Sequence, residues 1–197
     1  MYGLAGSIEN WGGEIHNLGI LPDRADSIAQ IADSASNADL IVTLGGASVG
    51  EHDLIQRALG PKGFALDFWK IAMRPGKPLI FGRLGGTPLL GLPGNPVSSY
   101  VCALLFLKPA IAALLGAPTA PQTIAVRLSA GLAENDSRQD YLRARLSRRE
   151  GELWAEPFPV QDSSMQRVLA EADALIVRAP HAAAAAAGDV AIAIPLE

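Results

Sequence analysis

The segment TLGGASVGEHD, residues 43–53, joins the apolar run ADLIVT to a second one, LIQRALG, through Gly45, Gly46, Ser48 and Gly50, and then places Glu51, His52 and Asp53 at a helix start. Glycines between a strand and a helix expose backbone N–H groups, which favour an anion. A carboxylate beside such a cradle repels phosphate unless a cation lies between them. Mg²⁺ suits that place, because it takes one or two carboxylates plus phosphate oxygens. The loop is not a Walker A motif, since Gly50 is followed by Glu51, and G-x-G-x-x-G is absent. The plain alternative is a tight turn at Gly45-Gly46 with Asp53 as a helix N-cap.

Two further stretches carry chemistry of the same kind. Residues 61–83 hold five basic side chains (Lys62, Lys70, Arg74, Lys77, Arg83) and one acid, Asp67, in a chain whose net charge is −4. Pro75-Gly76 is a turn signal that would curl Lys70, Arg74 and Lys77 around a common anion. In GLPGNPVSS, residues 91–99, Asn95 is a good N-cap and Pro96 a good first helical residue. The N–H groups that follow, with Ser98 among them, form a second cradle behind Pro93 and Gly94. Farther on, SRQDYLRARLSRR and QDSSM offer Arg138, Arg143, Arg145, Arg148 and Arg149, and the turn serines Ser163 and Ser164. Strand alternation splits these arginines between two faces, and Arg138 precedes the strand. His16, His52 and His181 lack zinc-ligand spacing, and no Ser-His-Asp arrangement emerges.

These residues need elements to position them. Leu4, Ile8 and Trp11 fall at helical spacing before Gly12-Gly13. EIHNLGIL reads as a strand, RADSIAQIADSAS as one helix, ADLIVTL as a buried strand, and DLIQRALG as a helix closed by Gly60. FALDFWKIAM, PLIFGRL and PLLGLP are strand candidates, and a long helix starts near Pro96, kinked or broken near Pro109. This alternation predicts an α/β domain with a mostly parallel sheet flanked by helices. Doubly wound domains open on a central strand and this chain opens on a helix, so a first strand is expected to be missing. GAPTAPQT marks a linker. Five short strand-like segments follow: TIAVRLSAGL, DYLRARLSRR, ELWAEPFPV, DALIVRA and DVAIAIPL. They predict a small all-β, barrel-like domain. The expected boundaries are 1–117, 118–122 for the linker and 123–197. HAAAAAAGD reads as a surface turn or short helix.

Composition sets the outer bounds. The chain has 197 residues, 49% hydrophobic and 18% charged, which argues against disorder. Its negative charge argues against a general nucleic-acid surface. A lone cysteine, Cys102, fits a reducing compartment. No unbroken apolar run reaches a membrane span.

GGASVGEHD, FWKIAMRPGKPLIFGRLGG, GLPGNPVSSY and an Arg-rich β-domain, in this order, resemble the molybdopterin molybdenumtransferase family (MoeA and the E-domain of gephyrin). The resemblance covers nearly the whole chain and is most specific at PGKP and PGNPVS. It implies insertion of molybdate into adenylated molybdopterin with release of AMP, supported by Mg²⁺, in a cytoplasmic homodimer with a molybdopterin adenylyltransferase as possible partner. It implies that Gly45, Gly46, Ser48 and Gly50 hold the pterin phosphate, and that Asp53 serves the metal. By the same resemblance, Lys70, Arg74 and Lys77 are expected to surround the pyrophosphate and molybdate. The resemblance likewise implies that Pro93, Gly94, Asn95, Pro96 and Ser98 form the second cradle and that Arg138 with Ser163 or Ser164 contributes to oxyanion binding. Arg74 departs from the family's usual Lys. The family's extra N-terminal domains and its Asp-x-Asn segment are not in this sequence, so the fragment alone is expected to be inactive. Two alternatives differ in class: a non-catalytic molybdopterin-binding or scaffold module, and a molybdopterin adenylyltransferase, which lacks the β-domain.

Overall fold

The computed structural model describes residues 2–35, 37–45 and 49–196, without the side chains of residues 2, 35 and 49–53. The chain divides into two units. The first runs to Ile71 and resumes from Gly76 to Thr119; the second comprises Ala72–Pro75 and Ala120–Glu197.

In the first unit, α1 (Tyr2–Asn10) ends where the N–H of Gly13 bonds the carbonyl of Ile8. Residues 13–22 form no strand, contrary to the expectation for EIHNLGIL. Ile20 is 92% exposed and no ladder partner holds the segment, so its apolar residues do not act as a sheet face. The expected single helix over 24–36 is two short ones, α2 (Ala25–Ala29) and α3 (Ile31–Ala35). After β1 (Ile41–Leu44) comes α4 (Val49–Leu59). A 3₁₀ turn, Gly60–Lys62, extends it, so the reversal falls at Gly63 (φ 89°) and not at Gly60. Glycine adopts that left-handed conformation without a Cβ clash.

β2 (Phe64–Trp69), β4 (Ile80–Leu84) and β5 (Thr87–Leu92) complete a sheet in the order β1-β5-β4-β2. The short β3 (Met73–Arg74) belongs to the second unit. The sheet is mixed, not mostly parallel: β1–β5 is parallel, while β5–β4 and β4–β2 are antiparallel. The reason is local. Only short loops separate β2, β4 and β5, and a parallel neighbour needs a crossover of a dozen or more residues. Ile41, Ile55, Leu59, Phe64, Ile80, Leu84 and Leu89 form the core between this sheet and α3–α4. Each such side chain contributes about 1.5–3 kcal/mol on burial.

The long helix begins as α5 (Pro96–Cys102), widens into one π turn at Ala103–Leu107, and continues as α6 (Lys108–Leu114). The Lys108 N–H reaches back five residues to Ala103. Pro109 has no N–H, and its ring would press on the carbonyl four residues earlier; widening the preceding turn relieves that clash without breaking the helix. Pro96–Leu114, 19 residues of mean hydropathy 1.8, is the one helix among the described residues long and apolar enough to cross a membrane. Val97, Val101, Leu104, Leu107 and Ile111 are buried in the protein core at helical spacing, the pattern of a core helix.

The second unit is the expected barrel-like domain. β6 (Ile124–Leu128), β7 (Gln139–Arg149), β8 (Glu152–Pro157), β9 (Ala174–Arg178) and β10 (Val190–Pro195) run in the order β7-β8-β6-β10-β9, and a β7–β9 pairing closes the ring. β3 adds to β7 in parallel. Val126, Leu128, Ala144, Ala155, Ala174, Ile176 and Ala193 fill the interior. α7 (Gln166–Ala170) lies between β8 and β9. The alanine-rich stretch is a turn, bridged from Ala185 to Leu132.

Candidate functional site

The parallel register of β1 and β5 sets Leu44 beside Leu92, so both strands end together and both glycine-containing loops leave from the same sheet edge. Gly45 turns at φ 83° and donates its N–H to the Leu92 carbonyl at 3.0 Å. A Cβ on Gly94 would sit 3.5 Å from the Gly45 Cα, so the two backbones lie nearly in contact. Ligands of α/β sheets bind at such carboxyl ends of strands. Asn95 occupies the N-cap position of α5 in extended conformation and makes no side-chain capping bond; its carbonyl accepts from the Ser99 N–H at 2.8 Å. Pro93 and Ser98 are buried, Gly94 and Pro96 exposed. Gly46 and Ser48 lie outside the described residues. Gly50 and Asp53 lie in α4, which starts at Val49. Asp53 is therefore in the second turn, and the capping alternative does not hold, because a cap sits at the boundary.

Lys70 and Lys77 lie on the two sides of the base of one excursion. The Lys70 N–H bonds the Leu79 carbonyl at 3.2 Å and the Ile71 N–H bonds the Lys77 carbonyl at 2.9 Å. Both side chains are exposed. Lys70 is held at φ 75°, a conformation that non-glycine residues adopt at a cost and that clusters at functional sites. Its ammonium stands 3.7 Å from the Trp69 ring centroid. Arg74 belongs to the second unit. Its guanidinium grips Asp140 through Nε–Oδ1 at 2.9 Å and a second contact, Nη2–Oδ2, and reaches Asp136 at 3.4 Å. Of the three expected cations, Arg74 is thus engaged by carboxylates of its own unit.

In that unit most arginines are engaged. Arg138 pairs with Asp136 at 2.8 Å. The Arg138 side chain donates to Asp136, as does the Arg138 N–H, and this lowers the Asp136 pKa to about 2. Arg127 forks onto Glu152. Arg145 and Arg167 share Glu171. A cleft of about 180 Å³ is lined by Arg74, Asn135, Asp140 and Arg178. Its donors are spent, because the Asn135 amide and the Arg178 guanidinium each bond several backbone carbonyls.

Arg143 is the exception. It is 1% exposed, its Nη2 donates to the Asp162 carbonyl at 3.2 Å, and its Nε has no partner among the described residues. Burial pushes its pKa below the ordinary arginine value, with the Asp162 charge opposing. Arg143 abuts the QDSS turn, where the Asp162 carboxylate accepts from the Ser164 N–H and hydroxyl, each at 2.7 Å. Those two bonds hold Asp162 below its usual carboxylate range. Sequence alone pointed to Arg138; in the first half of β7 burial falls on both faces, on Asp140 and Ala144 as well as Tyr141 and Arg143, so strand alternation gave no signal for Arg143.

Comparison with known proteins adds the family. Residues 1–113 match the family described as a probable molybdopterin binding domain, and residues 125–196 match the MoeA C-terminal region, domain IV. Molybdopterin molybdenumtransferase of Haemophilus influenzae is 45% identical over 104 residues, 52% of this chain and 26% of that protein. Molybdopterin molybdenumtransferase 2 of Mycobacterium tuberculosis is 33% identical over 181 residues, 88% of this chain and 44% of that protein. A solved MoeA structure from Pyrococcus horikoshii superimposes with a TM-score of 0.80 at 25% identity, covering 100% of this chain and 47% of that one. The chain thus spans at most about half the length of these relatives. By the match over its first 113 residues and the MoeA region that follows, the chain belongs to the molybdopterin molybdenumtransferase (MoeA) family.

Proposed function

We propose that these two units serve the insertion of molybdate into adenylated molybdopterin with release of AMP. One observation carries this reading: the two glycine-containing loops meet at the carboxyl ends of the parallel pair β1–β5, with Gly94 against Gly45. Backbone N–H groups at such a junction suit phosphate oxygens. Gly45, Gly46, Ser48 and Gly50 take the pterin phosphate from one side, and Pro93, Gly94, Asn95, Pro96 and Ser98 from the other. Lys70 and Lys77 supply positive charge for the pyrophosphate. Arg143 replaces Arg138 as the cation for the oxyanion, because Arg138 is paired with Asp136 and Arg143 is buried beside a serine turn. Ser163 or Ser164 adds a donor from that turn, where the Ser164 hydroxyl donates to Asp162.

Among the described residues no group of three or more His, Cys, Asp or Glu could cage a metal. That fits Mg²⁺, which relies on few protein ligands and on substrate phosphate oxygens. Asp53 would hold it, and the ion would neutralise phosphate charge there. A homodimer, an adenylyltransferase partner and a cytoplasmic location complete the proposal.

The test is AMP release from adenylated molybdopterin by the full-length protein. Release is expected to require molybdate and Mg²⁺. Asp53→Asn should slow it sharply with an unchanged melting temperature, because the amide loses the charge that attracts the metal. Pterin binding without release would favour a scaffold module instead. Full activity in the well-folded Asn variant would remove Asp53 from metal binding.

A further inference from the structure

We propose that Gln161 is a positioning residue, whose amide fixes the serine turn against the Arg143 guanidinium so that turn and cation grip a tetrahedral oxyanion together. The proposal rests on the oxyanion reading of Arg143 given above, and deepens it.

The observation is a substitution of side chain for strand. β8 pairs with β7 only as far as Pro157 opposite Ala144. The next residue, Phe158, donates its N–H to the Arg143 carbonyl at 3.0 Å, and the chain then turns away through Pro159. That leaves the Arg143 N–H without a strand neighbour on this side. Gln161 supplies one. Its Oε1 accepts from the Arg143 N–H at 2.9 Å, and its Nε2 donates to the Arg143 carbonyl at 3.0 Å and to the Phe158 carbonyl at 2.9 Å. One primary amide thus satisfies both backbone groups of the residue that carries the buried cation. The following residue, Asp162, receives the Arg143 guanidinium on its carbonyl, and its carboxylate holds Ser164. Gln161 sets the register, and the cation and serines follow within three residues.

A buried guanidinium with an unpartnered Nε is held ready for an anion. Its use depends on donors being fixed before the ligand arrives, since ordering them on binding costs affinity. Gln161 does that fixing, and no charge of its own enters the site.

The experiment uses the full chain with sodium molybdate as probe, in two readouts. Gln161→Met keeps the side-chain length and removes all three hydrogen bonds. Molybdate affinity by calorimetry should fall roughly tenfold, the scale of a lost pre-organising contact. Amide hydrogen exchange at residues 162–165 should quicken while β9 and β10 stay protected. Gln161→Glu keeps the acceptor for the Arg143 N–H and should move both readouts the same way, which covers a failure of the Met variant to fold. Unchanged exchange in a folded variant overturns the proposal, as does faster exchange with unchanged affinity. No molybdate binding by the wild type overturns the oxyanion reading itself, while the exchange readout, which needs no ligand, still decides whether Gln161 holds the turn.

Discussion

The two units present anion chemistry in opposite ways. In the first, the candidate ligand groups are backbone N–H groups at strand ends, supported by two exposed lysines. In the second, they are arginine side chains, and most are answered by carboxylates: Arg74 by Asp140, Arg138 by Asp136, Arg127 by Glu152, Arg145 by Glu171. Arg143 and Arg178 meet backbone carbonyls instead, and of the two Arg143 is the buried one. The difference teaches that abundance of cations is a poor guide to an anion site. An arginine that already grips its acid has its charge answered, and the informative one is desolvated with no carboxylate in hydrogen-bond contact.

That contrast predicts its own largest effect. Arg143→Met should abolish measurable molybdate binding, a loss of about 2–3 kcal/mol for a hydrogen-bonded charge, and leave stability unchanged or raised, as replacement of a buried charge by an apolar side chain often does. Arg138→Ala should change affinity several-fold less. Equal losses, read by calorimetry, would erase the distinction between the two arginines. In the first unit, Lys77→Ala should weaken binding of a pterin phosphate by about 1–3 kcal/mol, the worth of a charge-assisted contact. Unchanged affinity would restrict that site to backbone donors.

The same contrast explains what was legible in the sequence. Strand-end loops are local: Gly45-Gly46 and PGNP announce themselves within a few residues, and β1, β5 and α5 came out as read. The barrel strands were equally plain, because turn residues punctuate them. The pairing of Arg74 was not legible because its partner, Asp140, is 66 residues away in sequence. Arg138 was preferred over Arg143 because burial and an acid two residues upstream cannot be weighed from a motif. The sheet was read as parallel because helices flank it, yet the chain from β2 to β5 has no room for crossovers.

A smaller effect tests the backbone side of the comparison. Gly45→Ala forces a Cβ into φ 83°, which costs roughly 1–2 kcal/mol. Chemical denaturation should show that loss, and phosphate binding should weaken with it. A variant as stable as wild type would mean the turn relaxes freely. The smallest effect concerns acid. The Asp136 pKa is about 2 when folded, below its ordinary 3.8. A depressed carboxylate stabilises the fold above its unfolded pKa, and that contribution is lost as pH falls through the folded one. Between about pH 4 and pH 2 the wild type should therefore lose thermal stability faster than Asp136→Asn. The group is fully exposed, so the gap should be slight, and parallel melting curves would show that its pairing does not contribute.

The short strand β3 bears on how this polypeptide can be taken apart. Met73 and Arg74 lie far upstream of the other barrel strands, yet they pair with Gln139 and Asp140 at the start of β7. A cut in the linker looks natural on a linear map, but a polypeptide starting at Ala120 would lack this strand. Asp140, whose side chain is 7% exposed, would then keep its place in the barrel wall without the guanidinium that now covers it. Splicing Ala72–Pro75 back through a short designed loop ahead of β7 is the route to an independently expressible barrel, and the family boundary drawn at residue 125 is not a place to divide the gene.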